Sequence, residues 1–179
     1  MQKLIPTISK EQKLKKPILV HLTIGDWSGD GHENFDKVYY EVNYPVKTIR
    51  QAYKDSCHTT KLQFHDGKDY KNNTDEYQLD QTLTEYMQNY LEPEEIRILE
   101  TYGVLNQAFL EQRNLELTNE HYLFLSQPKD VAEIIMRFIA LSMPEDFTWK
   151  ENLRHSEPIN GWHTPELNYQ FGYGIYDVN

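Results

Sequence analysis

The sequence predicts an α+β fold, with an N-terminal β-hairpin and helix (ββα) packed with a mostly helical remainder and a small antiparallel sheet. Two patterns predict it. Apolar side chains recur at strand-like spacing before residue 43, and at three- and four-residue steps in several segments after it. Proline and glycine punctuate the chain where these segments begin and end. At 179 residues the chain fits one domain. We therefore expect a basic flexible tail over residues 1–16 and a single α+β domain over 17–179.

Ile18, Leu19, Val20, Leu22 and Ile24 make a β-rich run that ends at Gly25. Val38, Tyr40 and Val42 alternate with Lys37, Tyr39 and Glu41, the pattern of a half-buried strand. The polar stretch from Gly25 to Asp36 between them reads as a long hairpin loop. Pro45 opens a helix, because a proline in the first turn lacks only an N–H that would be unpaired there. Val46, Ile49, Tyr53 and Cys57 form its apolar stripe, with Cys57 a small core residue.

Residues 66–75 are loop by composition, and a second helix is expected from Asp75 to about Leu91. Pro93, Glu94 and Glu95 start a third, the acids lying where the positive end of the helix dipole favours them. Gly103 ends or kinks it, and Leu105, Ala108, Phe109 and Gln112 continue or restart helix. His121 to Leu125 reads as a short strand. Pro128 and Asp130 start a helix that is apolar nearly all round, terminated by Pro144. Tyr169, Phe171, Tyr173 and Tyr176 suggest a last strand or a clasp over the body.

Charge is uneven along the chain. The first sixteen residues carry five lysines against Glu11, whereas the rest hold 13 basic and 27 acidic side chains, a net of −14. Such a body repels nucleic-acid phosphates and anionic membranes and suits a basic protein partner. No apolar run is long enough to span a bilayer, and the N-terminus lacks the apolar core of a secretory signal. The lone cysteine fits a reducing, cytoplasmic setting.

One local pattern has metal chemistry in it. Asp26, Ser28 and Asp30 at two-residue steps, followed by Gly31, match the opening of a calcium-binding loop, in which alternate oxygens converge on a hard cation. The match then fails: Glu33 stands where an aliphatic residue belongs and Lys37 where a bidentate glutamate belongs. A looser site for calcium, magnesium or manganese remains, with Asp36 as a further oxygen donor and His32 adjoining the loop. With His21 nearby, the Asp26/Asp30/His32 loop is the alternative reading as a metal-dependent hydrolase.

No other catalytic set is evident. Ser56, Cys57 and His58 are sequence neighbours whose helical directions diverge, and His155, Trp162 and His163 lie in a proline- and glycine-broken segment. The favoured expectation is an acidic protein-interaction module. One specific form is an inhibitor that engages the basic nucleic-acid-binding surface of a partner, such as a nucleic-acid-handling enzyme. Its contact candidates are Asp75, Glu76, Asp80, Glu85, Glu92, Glu94, Glu95 and Trp27: carboxylates complement a basic groove, and tryptophan adds contact area.

Overall fold

In the computed structural model, which describes residues 6–27, 33–62, 90–125, 127–152 and 175–177, the hairpin is longer than its sequence suggests. Strands β1 (Ile18–Trp27) and β2 (Glu33–Val42) pair antiparallel from Ile18↔Val42 to Trp27↔Glu33. Gly25 and Asp26, expected in the loop, sit opposite Phe35 and Asn34. Near the loop end of this ladder, Gly25, Asp26 and Asn34 are weak strand formers. The register set by the apolar middle carries the backbone bonding outward through them.

Paired residues share a face, and Val20, Leu22, Val38, Tyr40 and Val42 are all buried on one side. Each fully buried aliphatic side chain of this kind contributes about 1.5–3 kcal/mol. The other side was expected to be polar and solvated. Glu41 is exposed, but Tyr39 and His21 are buried there, register partners with ring centroids 5.6 Å apart. The hairpin's middle is therefore covered on both faces.

Two short strands extend the sheet. After β3 (Tyr90–Leu91) and β4 (Leu123–Phe124), which pair with each other, β5 (Trp149–Glu151) joins β2 and β6 (Ile175–Asp177) joins β1, giving the order β5-β2-β1-β6. All these pairings are antiparallel. Tyr176 thus falls in the expected last strand; Tyr169, Phe171 and Tyr173 lie outside the described residues.

Helix α1 (Val46–Thr60) follows the hairpin as expected. Ile49, Tyr53 and Cys57 are buried, and Val46 is half-buried against the same core. Lys61, in the left-handed region at φ 63°, ends it and donates to the Cys57 carbonyl at 2.9 Å. The helix expected at Asp75 to Leu91 lies outside the described residues, except that Tyr90 and Leu91 form β3.

Helix α2 (Pro93–Thr101) has the proline and early acids that predicted its start, and Gly103 at φ 78° turns the chain just after it. Helix α3 (Gln107–Arg113) then restarts, its first turn closed by the Asn106 side chain accepting from the Phe109 N–H at 2.9 Å.

Helix α4 (Pro128–Ala140) is the centre of the core. Val131, Ala132, Ile134, Ile135, Met136, Phe138 and Ile139 are buried where it packs between α1 and the β1–β2 hairpin. The Tyr53 and Phe138 rings meet edge-on at 5.8 Å. Ser56 donates to the Phe138 carbonyl at 3.0 Å and meets the Ser142 hydroxyl at 2.7 Å. The helix ends before Pro144, in a tighter turn where Leu141, Ser142 and Met143 donate to carbonyls three residues back.

The segment expected as a basic tail makes long-range contacts over its described part. The Thr7 N–H donates to the Ser142 carbonyl at 3.1 Å and Leu14 N–H to the Asn43 carbonyl at 2.9 Å. Thr48 donates to the Gln12 side chain at 2.7 Å, and Lys13 pairs with Asp146 at 3.1 Å. Ile8 packs against the core. Ser142 lies 135 residues from Thr7, so it is a partner that local composition does not reveal.

Candidate functional site

The metal-loop candidates are only partly placed. Asp26 is in β1 opposite Asn34, inside the ladder rather than in an open loop. Ser28, Asp30 and His32 lie outside the described residues. Among the described residues, no three histidine, cysteine, aspartate or glutamate side chains are grouped so as to hold a metal ion. His21 is buried beside Tyr39. Ser56 spends its hydroxyl on Phe138 and Ser142, while His58 is exposed on another side of α1, so that trio forms no dyad.

Of the contact candidates, Asp75, Glu76, Asp80 and Glu85 lie outside the described residues, and Trp27 is in β1 opposite Glu33. Glu92 and Glu94 are exposed, but Glu95 is turned inward at 5% exposure. Its Oε2 accepts from the Glu92 N–H at 2.8 Å, half of a reciprocal capping box at the start of α2. Glu95 therefore serves the helix end and does not contribute to a contact face. The Arg97 guanidinium grips Glu94 at 2.6 and 3.0 Å, and this bond holds the Glu94 carboxyl below its usual range.

Beyond α2 the acidic surface continues through residues that composition alone did not single out. From Glu92 to Phe124, the carboxylates of Glu92, Glu94, Glu100, Glu111, Glu116 and Glu120 are exposed. Arg97 is the one exposed arginine or lysine in that stretch, and it is committed to Glu94. Arg113 is half-buried, 3.7 Å from both Asp130 and Glu133. This surface is thus negative, with its two guanidiniums already facing carboxylates.

A small hairpin stands in this surface. Leu117 bridges Leu123, the Thr118 N–H donates to the Tyr122 carbonyl at 2.7 Å, and Tyr122 N–H donates back to the Thr118 hydroxyl at 3.0 Å. His121 adopts φ 66° to close the turn and donates to the Thr118 carbonyl at 2.9 Å. Leu123 is fully buried and anchors the hairpin in the core, while Phe124, next along, is 50% exposed. Thr118, Asn119, Glu120, Tyr122 and Phe124 line a concavity of about 470 Å³. Leu117 is also exposed, at 45%. A sequence signal existed for this site, a Thr-Asn-Glu turn between apolar residues, but its strands are too short for periodicity to find.

Behind α3 lies a second polar cluster. Trp149 donates its indole N–H to Glu133 at 3.3 Å, and the buried Tyr40 side chain feels the same carboxylate. Burial, then the charges of Glu133 and Glu151, hold the Tyr40 phenol well above its ordinary range. Burial also raises the Asp130 carboxyl, against the attraction of Arg113. The cluster ties the end of α3 to the start of α4 and so supports the acidic surface from beneath.

Among the described residues, no helix is long and apolar enough to cross a membrane. Comparison with known proteins finds no matching family model, no matching curated protein and no matching solved structure.

Proposed function

We propose that this chain is an acidic protein-interaction module that engages a basic surface of a partner protein. The observation that carries this reading is the stretch from Glu92 to Phe124, which exposes six carboxylates and one arginine, itself already paired with Glu94. Fields of one sign steer an oppositely charged partner into register and accelerate encounter. The exposed Phe124 beside its concavity supplies the apolar contact that charge alone lacks. In its most specific form, the module inhibits a nucleic-acid-handling enzyme by occupying the groove that binds phosphates.

The test is affinity capture of basic proteins on the immobilised chain, eluted with a salt gradient, in parallel with a variant carrying Glu92→Gln, Glu100→Gln, Glu111→Gln and Glu116→Gln. A discrete basic protein should bind the wild type, elute as salt screens the charges, and be lost from the variant. A partner retained equally by both proteins at about 0.5 M salt, where the screening length is well below 10 Å, would contradict the reading.

A further inference from the structure

The hairpin of residues 117–124 departs from the rest of the acidic surface in having shape as well as charge. Its concavity of about 470 Å³ falls within the roughly 300–1,000 Å³ of pockets that bind discrete ligand groups. Among the described residues of its lining, Glu120 is the one that carries a charge, and none is a lysine or arginine. Tyr122 and Phe124 are two residues apart and border the same concavity, while Leu123 between them points into the core. Phe124, half exposed, lines this concavity together with the Glu120 carboxylate.

From this juxtaposition we infer that the concavity receives an arginine side chain of the basic partner, its guanidinium stacked on Phe124 and paired with Glu120. The inference rests on the interaction reading above and deepens it by naming the anchor. Guanidinium is planar, stacks on aromatic faces and pairs with a carboxylate through two parallel N–H groups. A lysine ammonium is a strongly hydrated point charge that gains less from either contact. Asn119 offers a side-chain carbonyl to the remaining N–H groups.

The test uses the full chain and two fluorescein-labelled peptides, nona-arginine and nona-lysine, in anisotropy titrations at matched salt. The wild type should bind nona-arginine at least about threefold tighter than nona-lysine, the gain expected of one exposed stacking contact. Phe124→Leu keeps an apolar side chain and the hairpin but removes the ring; it should erase that preference while leaving nona-lysine binding unchanged. Glu120→Gln should weaken both peptides and reduce their preference. A preference for arginine that survives Phe124→Leu overturns the inference and leaves the interaction reading standing. Failure of both peptides to bind the wild type would overturn both. Self-association in sedimentation that Phe124→Leu abolishes would assign the concavity to a second copy of the chain and overturn the arginine seat.

Discussion

The guanidinium of Arg137 lies 4.8 Å from the ring centroid of Phe109, clamping α4 to α3. Its Nε also donates to the Val104 carbonyl at 2.6 Å, so one side chain holds both the turn after α2 and the helix after that turn. Arg137→Met keeps the volume but leaves the Val104 carbonyl without its charged donor. Urea unfolding should show a loss of about 1–3 kcal/mol; a loss below about 0.5 kcal/mol would show that water replaces the clamp.

Asp130 gives a pH dependence of unusual sign. Because burial raises its carboxyl above the ordinary 3.8, the unfolded chain ionises first as pH rises. The folded state therefore loses stability as pH climbs from 3.8 through the folded value, and the loss is constant above it. Asp130→Asn removes the ionisation and leaves Arg113 facing Glu133. The variant should gain stability over the wild type at pH 7, with the gain shrinking to nothing below pH 3.8. A variant less stable at pH 7 would mean that the Arg113 ion pair outweighs burial.

Asp146 titrates in the opposite sense. The Tyr44 hydroxyl at 2.7 Å and Lys13 at 3.1 Å hold its carboxyl below the ordinary range. Its contribution is complete above the unfolded value and is lost as pH falls through the folded one. Since Lys13 is next to Leu14, whose N–H donates to Asn43, Asp146→Asn should speed amide exchange at Leu14. The two proteins should begin to converge below pH 3.8 and coincide only below the depressed folded value of the Asp146 carboxyl. Equal exchange at pH 6 would show that the backbone bond alone holds this segment.

Cys57 should be chemically silent. Burial pushes its thiol up to about 12, leaving almost no thiolate near neutrality. Ellman's reagent at pH 8 should find no thiol in the native protein and one in urea. Reaction at the rate of a free thiol would show that α1 opens locally, since exchange through openings tracks their free energy.

The hairpin and α1 were legible because each repeats an apolar spacing, and α2 and α4 because Pro93 and Pro128, each with acids close behind, mark their starts. Val38, Tyr40 and Val42 could be assigned to one face before any contact was known, and all three are buried. Glu95 could not be assigned by the same means. An acid in a first turn reads equally as surface or cap, and only its bond to the Glu92 N–H decides. Tyr39 and His21 misled for a related reason: period two says which residues share a face, but not whether a distant segment covers it. Residues 6–16 depend on carbonyls at Asn43 and Ser142, and the Phe124 concavity depends on a two-residue strand, so neither leaves a periodic trace. The acidic surface itself was legible as net charge, but its location on α2, α3 and the 117–124 hairpin required the fold.

Competition between this protein and nucleic acid tests the central claim most directly. A duplex oligonucleotide is titrated against the captured basic partner with the chain bound, at fixed low salt. If the acidic surface occupies a phosphate-binding groove, the oligonucleotide displaces the chain in a one-for-one exchange, and the chain in excess inhibits nucleic-acid binding by the partner. A stable complex holding partner, chain and oligonucleotide together would contradict it.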